Sequence, residues 1–456
     1  MMLLLSLTSQ GAERAQTISQ IIGRPEQKTA VFAILAVQAQ DGKVLYSRNA
    51  EKSMIPASNM KLVSSAAALH YLGPDYQYQT RLAMLDKSVV VIGGGDPLLG
   101  DDQVDQQYGR KPGWIFEQIV QVLQERGVKE IEDVIVDSFF FDQNRVHPSW
   151  PADQLNQWYA CEISGLNYNR NCVRITADRQ GGAAVLTMEP ENDYLTLVNQ
   201  LRQVNRGSSA VGAYRNSVPN KLIVKGNVNR QTGFEVAIEC PAGLFANILT
   251  RHLKEAGIVI NGQILQKYVQ SDPGLIPLKT FSSPIWDTLG RCNKDSLGMA
   301  AECLIKTISA ENTQGRINGE WPHGLTLVGR YLNSLGLDDA QFHLDDGSGL
   351  SRNNRLSCKV LVAVLQQMYQ KPYADRFVAT LAEAGVDGTI EKYFHQAPYR
   401  GNILGKTGYI VGVRAFSGVC RTPRGDIIFS ILTEGGNSMT RQCINDITKA
   451  IFDGTF

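Results

Sequence analysis

Ser58-Asn59-Met60-Lys61 is the only Ser-x-x-Lys spacing in the chain, and Lys406-Thr407-Gly408 is its only Lys-Thr-Gly triplet. Residues three apart on a helix share a face, so a serine at a helix start sets its hydroxyl beside the amine of a lysine one turn later. A lysine desolvated in that setting has its pKa pushed down and can take the serine proton, which turns the oxygen into a nucleophile. The blander reading makes Ser58 a helix cap and lets Lys61 snorkel to solvent. On a strand, Lys406 and Thr407 can hold a substrate carboxylate while Gly408 admits the substrate backbone; the alternative is a strand with a surface lysine. Each motif alone is weak. Together, in this order, they favour acyl transfer by a serine–lysine pair.

The elements that must position these residues are legible around them. After Pro56, the run Leu62, Val63, Ala66, Ala67 and Leu69 has the small, apolar character of a buried helix, into which an ammonium does not fit cheaply. Before it, VFAILAVQA (31–39), the turn residues Gln40-Asp41-Gly42 and KVLYS (43–47) predict a β-hairpin. From about 84 to 275 the texture changes to short strands and helix-Gly-strand units such as IVQVLQERGVKEIEDVIVD and NILTRHLKEAGIVINGQI, which predict an inserted α+β region of one or two modules. After Pro284 a helix-rich stretch runs to about 395. Residues 402–435 then predict successive antiparallel strands around a Pro-Arg-Gly-Asp turn, and a helix over 438–452 closes the chain. The expected architecture is therefore α+β. Residues 17–83 and 276–456 form one domain whose antiparallel sheet is built from both chain ends, with 84–275 inserted.

Composition excludes several classes. The 456 residues carry 45 basic and 44 acidic side chains with no basic block, so electrostatics gives no reason to expect nucleic acid as a partner. The N-terminus MMLLLSLTSQGAERAQ (1–16) lacks a basic n-region and reads either as a truncated signal segment or as the start of a helix. No later stretch is apolar for long enough to predict a membrane span. The eight cysteines form no C-x-x-C and no zinc-like cluster with the six histidines, and most thiols are expected to be buried; the acyl-transfer chemistry itself calls for no metal or organic cofactor. Two further features carry no function in this reading. SVVVIGGGDPLLG (88–100) has Leu98 where a dinucleotide loop needs its third glycine, and it reads as a strand-ending turn. Trp150, Trp158 and Phe139-Phe140-Phe141 lack surrounding cations and read as core.

Six segments carry a closer resemblance: IPASNMKLVSSAAALHYLG, VIGGGDPLL, WYACEISGLNYNRNC, NKDSLGMAAECL, DDGSGLSRNNRLS and GKTGYIVGVRAFSG. They resemble successive landmarks of the low-molecular-mass penicillin-binding protein family of D-Ala-D-Ala carboxypeptidase/endopeptidases, from about residue 30 to 435. The long stretch between Lys61 and Ser296 is similar to that family, which inserts extra domains at this point. The resemblance implies a β-lactamase/transpeptidase-like catalytic domain, peptidoglycan stem peptides as substrate, β-lactam antibiotics as acylating ligands, and a location in the periplasm or otherwise outside the cytoplasmic membrane. It also implies roles: Ser58 as nucleophile, Lys61 as base, Ser296 as proton relay, Lys406, Thr407 and Gly408 as the substrate-binding strand, and the backbone N–H groups of Ser58 and Tyr409 as the oxyanion hole.

One landmark departs from the pattern. The family's second motif is Ser-x-Asn, and here it reads Ser296-Leu297-Gly298, so the asparagine that would bind the substrate amide is missing. A water or nearby Asn293 could supply a replacement amide contact. The literal strings Ser47-Arg48-Asn49 and Ser351-Arg352-Asn353 lie in the wrong contexts. The DDGSGLSR segment (345–352) either lines the active-site floor or is a tight glycine turn whose Asp346 and Ser348 hold backbone groups, and it is left out of the catalytic set. Two alternatives stay open at this point: a catalytically impaired binder of peptidoglycan peptides on the same fold, and a β-lactamase or esterase.

Overall fold

Strand Val31–Gln38 alternates its two sets of side chains between two different cores: Ala33, Leu35 and Val37 enter one, while Phe32, Ile34 and Ala36 enter the other. A strand buried on both faces reads as a continuous apolar run, which is why VFAILAV shows no polar alternation. In the computed structural model, which describes residues 16–313 and 316–456, this strand sits inside a six-stranded antiparallel sheet. The order across the sheet is Ala382–Glu383, Ile403–Ile410, Val413–Cys420, Ile427–Glu434, Val31–Gln38 and Val44–Arg48. The chain ends therefore meet through the pairing of Val31–Gln38 with Ile427–Glu434, in register from Val31↔Glu434 to Gln38↔Ile427. The expected hairpin forms, with a register shift between Ala36 and Val37.

Helices cover both faces of this sheet. The closing helix Thr440–Asp453 and the short Ile18–Ile22 helix lie on one side. On the other side Cys358–Tyr369 packs on the sheet, and Met60–Tyr71 and Gly298–Glu311 pack beyond it. Met60–Tyr71 is buried from Met60 to Leu69, and Gly298–Glu311 from Gly298 to Ala310. Helices hydrophobic all round belong in an interior, and these two carry the polar side chains that matter below. The expected N-terminal segment lies, apart from Gln16, outside the described residues. No helix among the described residues is long and apolar enough to cross a membrane.

Between these parts stands a second system. A five-stranded mixed sheet has the order Ile264–Gln266, Val134–Asp137, Ser88–Ile92, Gln77–Leu85, Leu275–Pro284. The strands beside the two expected joins, Gln77–Leu85 and Leu275–Pro284, pair antiparallel with each other. The two helix-Gly-strand units appear as helix Trp114–Glu125 with strands Glu130–Ile131 and Val134–Asp137, and helix Pro241–Glu255 with Val259–Ile260 and Ile264–Gln266. Two three-stranded sheets complete the region, one of Cys172–Gln180, Ala183–Glu189 and Thr232–Ala237, the other of Thr196–Gln203, Ala210–Arg215 and Lys221–Val228. The glycine-rich 88–100 stretch is the strand Ser88–Ile92 followed by turns, with no helix before Asp102. All eight cysteines are unpaired, and seven are buried.

Candidate active site

Ser58 lies not in the α-helix but in the 3-10 turn Ala57–Asn59 that leads directly into Met60–Tyr71. Ala57 takes the left-handed conformation, φ 45°. The tighter turn keeps serine and lysine on one side, with Lys61 Nζ 3.1 Å from Ser58 Oγ. Lys61 is buried, and its Nζ also donates to the Ser348 carbonyl at 2.7 Å. Burial pushes the Lys61 amine below its ordinary value, opposed in part by Cys292, Asp346 and Glu302. An amine so placed is poised to exist uncharged beside a serine hydroxyl.

The strand Ile403–Ile410 forms the neighbouring wall. Asn59 Nδ2 donates to the Lys406 carbonyl at 2.9 Å and so pins the strand to the 3-10 turn. Lys406 is fully buried, and its Nζ donates to Ser296 Oγ at 2.9 Å and to the Thr407 carbonyl at 2.8 Å. Burial, and then the charge of Lys61, depress the Lys406 amine well below its usual range. Thr407 donates its hydroxyl to Thr389 Oγ1 at 2.8 Å. A Cβ at Gly408 would stand 2.8 Å from the Pro56 carbonyl and 3.2 Å from Ala57 Cβ, so the 3-10 turn that carries Ser58 fills that space.

Ser296 sits between helices Ile285–Lys294 and Gly298–Glu311 with φ 62°, a strained backbone for a non-glycine residue. Ser58, Lys61, Ser296, Gly298, Ser348, Thr389, Thr407 and Tyr409 all line one cleft of about 620 Å³. The two motifs and Ser296 therefore converge although they come from three distant segments. Lys406 is buried behind the cleft wall, in contact with Ser296 Oγ and the Thr407 carbonyl. Asn293 does not take the place of the missing amide: it points inward, donating to Thr380 Oγ1 and accepting from Ser65 Oγ. At Gly298 the gap is partly closed by the main chain, since a Cβ there would lie 3.2 Å from the Tyr159 carbonyl and 3.6 Å from Ser348 Cβ.

Sequence reasoning missed two contributors, Trp158 and Thr389, and left a third, Ser348, out of the catalytic set. Trp158, expected in the core, is 38 % exposed and forms part of the cleft wall with Tyr159. Thr389 had no motif to mark it. Ser348 belongs to the DDGSGLSR segment, whose glycine-turn signal was visible, and both expectations for that segment hold together: it is a tight turn and it lines the cleft. Gly349, φ 79°, lets this turn pass the 3-10 turn that carries Ser58, because a Cβ would fall 1.8 Å from the Ala57 carbonyl. Among the described residues no group of His, Cys, Asp and Glu could hold a metal ion.

The chain is 28 % identical over 462 residues to a D-alanyl-D-alanine carboxypeptidase of Actinomadura sp. (strain R39), covering 95 % of this chain and 83 % of that protein. Among solved structures, it superposes on penicillin binding protein 4 (dacB) from Haemophilus influenzae with TM-score 0.80 at 22 % identity, covering 95 % of this chain and 98 % of that one. A peptidoglycan endopeptidase from Bdellovibrio bacteriovorus matches with TM-score 0.51 at 15 % identity over 93 % and 92 % of the two chains. Both structural likenesses establish the fold, an α+β transpeptidase-like one. Residues 14–452 match the model of the D-Ala-D-Ala carboxypeptidase 3 (S13) family, and the chain belongs to that family.

Proposed function

We propose that the protein is a serine peptidase of peptidoglycan stem peptides, cleaving D-Ala-D-Ala or the equivalent cross-link bond through an acyl-serine at Ser58, outside the cytoplasmic membrane. The observation that carries this reading is Lys61 Nζ at 3.1 Å from Ser58 Oγ, buried yet opening on a cleft with Ser296 and Thr407. Membership of a carboxypeptidase family and the names of the relatives support the substrate class.

Uncharged Lys61 accepts the Ser58 proton as Oγ attacks the carbonyl of the penultimate D-Ala. The N–H groups of Ser58 and Tyr409 hold the oxyanion, one such donor being typically worth roughly 10²–10³ in rate. As the C–N bond breaks, the proton that Lys61 took from Ser58 passes by way of Ser296 to the departing amine, leaving Lys61 uncharged again, while Lys406 holds Ser296 Oγ in place. Thr407, with Thr389 behind it, turns its hydroxyl to donate to the terminal carboxylate. Water then attacks the acyl carbonyl, Lys61 taking its proton and passing it to Ser58 Oγ as the ester C–O bond breaks, which regenerates Ser58. Penicillins present a strained amide at the same carbonyl position and acylate the same oxygen.

A synthetic stem pentapeptide ending in D-Ala-D-Ala tests the reading. Release of free D-Ala by the wild type and its loss in Ser58→Ala supports it; no release from that peptide or from a cross-linked dimer refutes it and favours an impaired binder, a reading motivated by Gly298.

A further inference from the structure

Acyl transfer as just described leaves two carboxylates without a task. Glu302 and Asp346 are both fully buried. Among the described residues their direct partners are N–H groups. Glu302 Oε1 accepts from Ser348 N at 2.7 Å, and Oε2 accepts from Gly347 N at 2.9 Å and Trp321 Nε1 at 2.8 Å. Asp346 Oδ1 accepts from Gly349 N and Asn354 Nδ2, each at 2.7 Å; Oδ2 accepts from Ser351 N at 2.7 Å and Trp150 Nε1 at 3.0 Å. Four N–H groups of one short turn thus end on two carboxylates.

The turn has one connection to the chemistry. The Ser348–Gly349 peptide offers its carbonyl to Lys61 Nζ and its N–H to Asp346, so carboxylate and amine sit on opposite ends of one polarised peptide group. Glu302 fixes the preceding peptide, and Ser64 Oγ donates to the Gly347 carbonyl at 2.6 Å. Lys61 is therefore held beside Ser58 by a carbonyl whose position depends on Glu302 and Asp346.

We propose that Glu302 and Asp346 are positioning residues of the acyl-transfer step: they clamp the 346–351 turn so that the Ser348 carbonyl holds Lys61 Nζ at Ser58 Oγ. This rests on Ser58 and Lys61 being the acylating pair. The charged and titratable groups around them are few. Glu302 faces Asp346 on the turn, Lys61 on the neighbouring helix, Cys292 on Ile285–Lys294 and Lys306 on its own helix; Asp346 is also faced by His147, which stands beside Asp345; and Lys406 faces Lys61 from the strand. Both carboxylates raise the Lys61 amine against the depression caused by burial.

The test follows penicillin acylation rates of the full chain between pH 5 and 9 for wild type, Asp346→Asn and Glu302→Gln, with thermal melting to confirm folding. Removing a neighbouring negative charge makes the Lys61 ammonium less favourable, so the acid limb of the profile moves to lower pH in Asp346→Asn by roughly one unit. It moves in the same direction by less in Glu302→Gln, since the neighbouring Asp346 and burial already push Glu302 up to about 7. With the clamp loosened, the plateau rate falls about tenfold in each. A variant slower at every pH with an unmoved acid limb overturns the proposal, because damage to a turn does that alone. So do variants indistinguishable from wild type. If Asp346→Asn fails to fold, Glu302→Gln, on another element and of the same size, carries the test. Absence of any adduct on the wild type overturns the acyl-serine reading itself, and this proposal with it.

Discussion

Glu302 makes stability depend on pH in a direction that can be worked out in advance. Its carboxyl is fully buried and raised from 4.5 to about 7, first by desolvation and then by Asp346. In the unfolded chain the same group ionises at its ordinary value, so between about pH 4.5 and 7 the folded state holds the proton that the unfolded state has lost. A group of this sign withdraws stability as pH rises: the penalty is absent below the unfolded value and complete above the folded one. A difference of about 2.5 pK units corresponds to about 3 kcal/mol. Glu302→Gln keeps the size of the side chain and does not ionise. The variant keeps one acceptor oxygen for the N–H groups of Gly347, Ser348 and Trp321 and sets an NH2 donor against those left over, which lowers its stability at all pH values. Relative to wild type, however, it gains about 3 kcal/mol between pH 4.5 and 8, because it lacks the desolvated charge. Urea unfolding of both proteins across that range reads the difference directly. Parallel stability curves would refute the reasoning, showing that Glu302 ionises as easily inside the fold as outside.

Two glycines give further checks. Gly408→Ala places a methyl group 2.8 Å from the Pro56 carbonyl and 3.0 Å from Ala415 Cβ, both parts of packed structure; it should lower stability by about 1–3 kcal/mol in urea titration and slow acylation by displacing Ser58. Gly298→Asn should fail to restore a better enzyme, since its Cβ meets the Tyr159 carbonyl at 3.2 Å; the expected result is a slower acylation rate and a melting temperature lower by a few degrees, and a faster, equally stable variant would contradict the geometry.

The six-stranded sheet was legible where its inner strands are buried on both faces, so that VFAILAV announces itself as an apolar run before a clear turn. Ser58, Lys61 and Lys406 were legible for a different reason: an amine in an apolar helix or strand is a local contradiction that tertiary structure must resolve. What could not be read was anything set by contacts between distant segments. Nothing local distinguishes Thr389 from any other loop threonine, yet the Thr407 hydroxyl finds it. Trp158 has the composition of a core residue and is exposed because the 3-10 turn Trp158–Ala160 stands at the rim of the cleft. Gly408 was marked for approach by the substrate backbone; that Pro56 and Ala57 of the chain itself stand against it could not be read locally. Glu302 is a buried carboxylate one helical turn beyond Gly298, and its significance appears only once the 346–351 turn is laid against it.

Mass spectrometry of the intact protein and its peptides after incubation with a penicillin tests the central claim most directly. The account predicts a stable adduct that maps to Ser58 and is absent from Ser58→Ala. An unmodified wild-type protein with no penicillin consumed, or an adduct on any other residue, would contradict it.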